Sequence, residues 1–330
     1  MKDKIVNFCN GIGIDTIGFT KCRVFHELHD FYIYRKENSL ENEFEEKDIE
    51  KRINPFIYME DGKTIISVAF PYVHNFNNHK DVYFSKYTQG KDYHRVVKDY
   101  LGQICEFIES IGGKAVPLVD SNALPERYIA ALSGVGFIGK NNMVITKKYG
   151  SYVFLGEIIT NLDLEASSNE NLVNEIKNFT QCGECELCYK ECPTKSINKV
   201  KKNSNICMSY ITQKKDLEKK WIKLMNGRLF GCDTCQSCCP YNNHIELSPI
   251  KDFQVIDFME NVDLEEMIYM EKKTFKEKYL NTSCGWRGKP VLQRNALIAF
   301  MVKMENGEIS EKDIKSPYVR EYYNIIKNIV

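Results

Sequence analysis

The sequence has no net charge: 45 basic residues balance 45 acidic ones. No global field draws such a chain toward nucleic acid or a membrane surface, so a polyanionic partner has to be met by a local patch. There is no apolar run near the roughly 20 residues needed to span a bilayer. Residues 1–17 lack the basic-then-apolar order of a secretory signal. Internal repeats and low-complexity segments are also missing. These absences predict a cytoplasmic globular protein with no membrane partner, long enough at 330 residues for about two domains.

What the chain does have is cysteine, thirteen in all. In a reducing compartment that many thiols argue for metal rather than disulfides. Cys182, Cys185, Cys188 and Cys192 form C-x2-C-x2-C-x3-C closed by Pro193, and Cys232, Cys235 and Cys239 form C-x2-C-x3-C closed by Pro240. This is the bacterial ferredoxin layout for two 4Fe–4S clusters, in which the cysteine before the proline ligates the other cluster. The ligand sets should therefore cross: Cys182, Cys185 and Cys188 join Cys239, and Cys192 joins Cys232 and Cys235. The second set still lacks a ligand, which either Cys207 or Cys238 can supply. Paired C-x2-C also suits a zinc ribbon, but two Cys-Pro closures favour iron–sulfur. Cys9, Cys22, Cys105 and Cys284 lie outside this region and read as buried small hydrophobes.

Residues 4–9 predict a short helix and 14–19 a strand, and 41–52 is charged with a helical pattern. The apolar run from Thr64 to Phe70, ending at Pro71, predicts a buried strand. Residues 93–111 carry Val96, Val97, Leu101, Ile104, Cys105 and Ile108 at helical spacing and stop at Gly112-Gly113. Residues 115–119 read as a second strand and 125–132 as a helix. Residues 142–146 and 151–160 read as paired strands around Tyr149-Gly150. Residues 1–165 thus form an α/β or α+β domain. A polar linker with a helix leads to a cysteine domain ending near residue 250. The rest, 251–330, reads as helices over 255–270, 272–279, 291–304 and 319–329.

Gly134-Val-Gly136-Phe-Ile-Gly139-Lys140 satisfies G-x-G-x-x-G, but a helix precedes it and a strand follows, the reverse of a dinucleotide fingerprint. Asn141 stands where a P-loop needs Ser or Thr. A tight turn that lets backbone approach another cofactor fits better. Asp120 ends an apolar strand, where open sheets place their sites; it reads equally as a proton donor or as the cap of the helix near Pro125. His94 reads first as a structural histidine, ahead of a ligand or proton shuttle. Arg52 suits an anion or a solvated helix end. Residues 195–228 are rich in lysine, which reads equally as a face for a phosphate backbone or as a solvated helix. Trp286-Arg-Gly-Lys289 and Gln293-Arg-Asn295 add a second basic and aromatic cluster, and an exposed Trp can stack on a base.

Together these residues resemble the epoxyqueuosine reductases, a cobalamin-dependent iron–sulfur family of tRNA modification. The resemblance runs from about Ile14 to Phe300. It rests on Glu50-Lys-Arg-Ile-Asn-Pro55, Gly90-Lys-Asp-Tyr-His94, Val119-Asp120-Ser with Glu126-Arg127, the Gly134 to Asn141 turn, and Tyr149-Gly-Ser-Tyr-Val-Phe-Leu-Gly156. It continues through the cysteine run, Cys207-Met-Ser-Tyr210, Gly231-Cys-Asp-Thr-Cys-Gln236 and the Trp286 to Ala296 segment. The resemblance implies an α+β fold: a nitroreductase-like cobalamin-binding domain (1–165), a ferredoxin-like double-cluster domain (166–250) and C-terminal helices (251–330). It implies Cys207 rather than Cys238 in the second cluster and Asp120 as proton donor. It places cobalamin contacts on Arg52, Asp120, Val144 and Ser209. The chain departs from the family pattern at Gln89, where a Trp is usual, and at Ala131, where a Glu is usual. It ends before the helical repeats that some members carry.

The implied reaction removes the epoxide oxygen of epoxyqueuosine in a tRNA anticodon stem-loop, the last step to queuosine, using two electrons and two protons. Cobalamin, resting as cob(II)alamin, gathers single electrons beside the substrate, and a small electron-donor protein or reductase supplies them. The second cluster should lie nearer the corrin, because Cys207 and Ser209 share one short segment. The alternatives are a corrinoid reductive dehalogenase, an electron carrier with no substrate of its own, and a nucleic-acid-binding module with structural clusters. The missing export signal and the lysine-rich segment disfavour the first, and the large N-terminal domain disfavours the second.

Overall fold

The apolar run at residues 64–71 forms the strand Thr64–Pro71, buried at every position. It is covered because it is central: among the described residues, four strands pair antiparallel in the order Ile17–Lys21, Thr64–Pro71, Val153–Thr160, Ala115–Leu118. The helix Tyr93–Ser110 buries the predicted stripe of Val96, Val97, Leu101, Ile104, Cys105 and Ile108. The antiparallel pairing settles the class as α+β.

The computed structural model describes residues 1–75, 81–167, 169, 171–303 and 308–329. These form two units, each drawn from three stretches of chain. The first unit comprises Met1–Tyr72, His94–Lys190 and Gln236–Lys251; the second comprises Val73–Tyr93, Glu191–Cys235 and Asp252–Val330. The three consecutive domains expected from sequence do not coincide with these units. The cysteine region is shared out, because residues 182–188 and 236–251 pack with the sheet-bearing residues while 191–235 packs with the C-terminal helices.

The second unit is built on Phe84, Met208, Ile211, Ile222, Leu229 and Phe230, packed with Leu292, Leu297 and Val319. A short parallel pair, Tyr83–Phe84 with Arg228–Phe230, ties its first stretch to its second.

Several elements differ from expectation. Of residues 41–52 only Ile49–Ile53 is helical, begun by Asp48, whose carboxylate accepts from the backbone of Glu50 and Lys51. Glu41 and Glu45 upstream are held by Arg35 and Arg52, and those tertiary ion pairs outweigh helix propensity. The strands near Tyr149-Gly150 do not pair with each other beyond a single bridge from Thr146 to Gly150. Val144–Ile145 instead pairs with Phe137–Ile138. The predicted helix 255–270 is two pieces, Asp257–Glu260 and Leu264–Ile268, the second capped by Asp263. The predicted 291–304 helix is Lys289–Lys303, and Met304 lies outside the described residues.

The Gln293-Arg-Asn295 cluster is also not the exposed basic patch the sequence suggested. Arg294 and Asn295 are fully buried. The Arg294 guanidinium donates to the carbonyls of Lys214 (2.6 Å), Lys215 (2.9 Å) and Thr212 (3.3 Å) and to the Tyr318 hydroxyl (2.8 Å). The Asn295 amide donates to the carbonyls of Thr212 (2.8 Å) and Leu229 (2.7 Å). The pair fixes the backbone of the lysine-rich segment from inside. Arg294→Ala removes a fully buried guanidinium with all its hydrogen bonds and should cost about 3 kcal/mol or more, read as a lower urea midpoint for the intact protein.

Candidate active site

The first unit contains Cys182, Cys185, Cys188 and Cys239. Each of two backbone features positions part of this set. The glycine turn leads into a hairpin, Phe137–Ile138 with Val144–Ile145, that ends on the cysteine loop. Lys140 donates its backbone N–H toward the Cys182 sulfur (3.4 Å), and its ammonium donates to the carbonyls of Gly183 (2.6 Å) and Cys185 (2.9 Å). The Tyr241 hydroxyl donates to the carbonyl of Gln181 at 2.6 Å.

The loop bearing Cys239 is moulded onto Gly150-Ser151. The Asn242 side chain accepts from the Ser151 backbone (2.7 Å) and donates to the Ser151 hydroxyl (2.9 Å), and the Gln236 amide donates to the Ser151 carbonyl (2.8 Å). Gly150 sits at φ +55, and a Cβ there would lie 2.0 Å from the Asn242 side-chain oxygen. Glycine is required at this position by both conformation and approach. Burial, then the charges of Cys238, Cys182, Cys239 and Cys185, push the Cys188 thiol up to about 11. The Cys239 sulfur accepts from the backbone of Tyr241 and Asn242.

The second unit contains Cys192, Cys207, Cys232 and Cys235. Cys207 precedes the short helix Met208–Ile211, and its sulfur accepts from the backbone N–H of Ser209 and Tyr210; burial, then the charge of Cys232, raise its thiol. Two contacts pin the Cys232 loop. The Gly231 N–H donates to the Thr212 hydroxyl at 2.9 Å, and the buried Asp233 carboxylate accepts from the Ser85 hydroxyl and, at 2.8 Å, from the Lys86 backbone. Cys238 lies in the first unit, near Cys188. Each unit thus carries four cysteines of the crossed pattern, the thiol ligand type that a 4Fe–4S cluster takes.

Asp120 stands in the first unit, past the end of the strand Ala115–Leu118. Its backbone is left-handed at φ +47. It does not cap the next helix: Glu126–Leu132 begins at Pro125 with no side-chain cap. Its carboxylate instead meets the His94 ring at 2.9 Å, so the histidine that sequence reading took as structural faces the candidate acid. Both side chains are partly exposed, 35% for His94 and 49% for Asp120. Glu126 accepts from the Asp120 backbone at 2.9 Å, and burial, then the Asp120 charge, push its carboxyl up to about 7. Behind it on the central sheet, Glu157 is fully buried, accepts from the Ser67 hydroxyl at 3.4 Å, and is held protonated by burial. Sequence reading missed Glu157 because it sits inside an otherwise apolar strand.

The remaining predicted contacts are placed less openly. The Arg52 guanidinium pairs with Glu41 (2.8 Å) and Glu45 (3.4 Å) and lies over the Tyr32 ring at 3.8 Å. The Val144 side chain is buried in an apolar cluster with Ala69, Ala130 and Val153. The Ser209 hydroxyl bonds the Tyr87 phenol. Lys215, Lys219, Lys220 and Lys223 are exposed, as is Trp286 at 55%, with Arg287 lying over its ring at 4.8 Å. Among the described residues no helix is long and apolar enough to cross a membrane.

Residues 181–242 match the family model described as a 4Fe-4S double cluster binding domain, and residues 52–121 match that of epoxyqueuosine reductase QueG, DUF1730. The epoxyqueuosine reductase of Lactococcus garvieae is 33% identical over 339 residues, covering 98% of this chain and 93% of its own. An epoxyqueuosine reductase crystallised with an epoxyqueuosine-modified tRNA-Tyr stem loop aligns with a TM-score of 0.88 at 30% identity, over 98% of this chain and 90% of that one. A Bacillus subtilis epoxyqueuosine reductase, whose aspartate catalytic loop is swung out of its active site, aligns with a TM-score of 0.85 at 29% identity, over 98% and 88%. With this agreement along nearly its whole length, the chain belongs to the epoxyqueuosine reductase family.

Proposed function

We propose that this chain reduces epoxyqueuosine to queuosine in tRNA, in the cytoplasm, and that it holds two 4Fe–4S clusters and cobalamin. The observation that carries the reading is the pairing, in one chain, of two four-cysteine sets with a solvent-reachable acid, Asp120, oriented by His94. Removing an epoxide oxygen takes two electrons and two protons, and these are the parts that supply them.

Cys182, Cys185, Cys188 and Cys239 would hold the first cluster, and Cys192, Cys207, Cys232 and Cys235 the second. The Cys232 charge beside Cys207, and the backbone N–H groups of Ser209 and Tyr210 that its sulfur accepts from, support Cys207 as the completing ligand. Asp120 and Ser209 each carry a polar group of the kind that a corrin's amide rim takes. Arg52, engaged by two carboxylates, and Val144, buried, would have only a packing or main-chain part in that site. Cobalamin would supply a two-electron reductant where the clusters supply single electrons.

The chain's own chemistry is proton delivery. Asp120 gives its proton to the epoxide oxygen as the ring opens, and His94, in hydrogen-bond reach and partly exposed, returns a proton to it from solvent. The exposed lysines of residues 215–223 and Trp286 suit a phosphate backbone and an unstacked base. A small electron-donor protein or reductase completes the system.

The test is an anaerobic assay of reconstituted protein on an epoxyqueuosine-containing stem-loop, with mass spectrometry reading the loss of one oxygen. Cobalamin-dependent loss supports the reading; no loss with cofactors bound removes the tRNA substrate. In the same assay Asp120→Asn should keep its cofactors and lose about 10²–10⁴-fold in turnover. Cys207→Ala should bind about half the wild-type iron, since one of two clusters loses a ligand, whereas Cys238→Ala should bind the full amount.

A further inference from the structure

Asp120 is held in a conformation that its own backbone does not favour. A non-glycine residue at φ +47 persists when its surroundings over-determine it. Three side chains do so here. The Glu126 Oε1 atom accepts from the Asp120 backbone N–H at 2.9 Å and from the Asn122 side-chain amide at 2.7 Å. The Asn122 oxygen in turn accepts from the Leu124 backbone at 2.8 Å. The Tyr58 hydroxyl accepts from the Ala123 backbone at 2.8 Å. Of these, Glu126 alone grips both the acid's own amide and the residue two positions on. It stands in the first turn of the helix Glu126–Leu132, whose Ile129, Ala130 and Leu132 are buried in the first unit. One end of the grip is therefore anchored in the core.

Resting on the assignment of Asp120 as the acid, we propose that Glu126 is a positioning residue, a latch that keeps the Asp120 loop in its reactive place. The latch requires one acceptor oxygen and no charge. Glu126 is raised to about 7, and in either protonation state Oε1 still accepts both hydrogen bonds. A glutamine offers the same acceptor, so Glu126→Gln should hold the loop and Glu126→Ala should release it. Asn122→Ala leaves Glu126 and Asp120 in place and should loosen the loop in the same direction by less.

The experiment uses the full-length reconstituted protein and two readouts. Hydrogen–deuterium exchange over residues 119–124 reads the latch without requiring turnover. Glu126→Ala should speed exchange there while the strand Thr64–Pro71 stays protected, and Glu126→Gln should match wild type. Kinetics on the stem-loop should show Glu126→Ala losing about 10²-fold in kcat, the scale of a misplaced catalytic group, with KM unchanged and Glu126→Gln near wild type. Unchanged exchange in both Glu126→Ala and Asn122→Ala overturns the latch. So does a Glu126→Gln protein that keeps slow exchange yet loses turnover as fully as alanine, since Glu126 would then be moving a proton. If wild type leaves the stem-loop untouched but the exchange contrast appears, the tRNA reading fails and the latch stands.

Discussion

Bringing cysteines from distant stretches of chain into each unit is the constraint on which the rest of this structure depends. Buried thiols disfavour their charged form, and neighbouring thiolates disfavour it further, as the raised Cys188 thiol shows. Iron reverses that balance, which couples cluster binding to proton release. The protein's part is to bring the sulfurs together from distant stretches and to supply N–H groups that favour the bound thiolate. Much of the sequence that looks unrelated to iron serves this end. The Lys140 hairpin, the Gly150-Ser151 turn and Asp233 are all scaffolding for cysteine loops.

The two halves of the proposed reaction draw on differently built parts. The cysteines that would handle electrons sit in short loops fixed by many hydrogen bonds. The proposed acid sits at the edge of a sheet, where a strand ends and a loop carries Asp120 into reach of solvent. The sheet's interior is apolar apart from groups such as Glu157 and Ser67, and a carboxyl in that setting is neutral. The same sheet therefore provides a dry wall on one side and an exposed acid at its rim.

The sequence carried a large part of this. The buried strand at 64–71 and the helical stripe at 93–110 were readable because their periods are clean. Ligand spacing predicted the crossing of the cysteine sets but left the second set open between Cys207 and Cys238, and the family resemblance chose Cys207. What spacing could not convey was the choice of partner for polar groups. His94 gave no local sign that it would meet Asp120, twenty-six residues on. Arg52 and Arg294 looked like surface cations, and tertiary partners took both inward. The strands after Gly136 were placed correctly and paired wrongly, since pairing depends on which edges are open rather than on composition.

The interleaving of the units also sets an order of events during synthesis. Cys182, Cys185 and Cys188 leave the ribosome first, but the fourth ligand of the set proposed for them would be Cys239, in the same unit. The other set closes at Cys235, only a few residues earlier. Neither set is complete until the same short stretch has emerged, a few seconds after Cys188 at ordinary elongation rates. A partly made chain therefore offers iron two unfinished sites, and both become ready almost together.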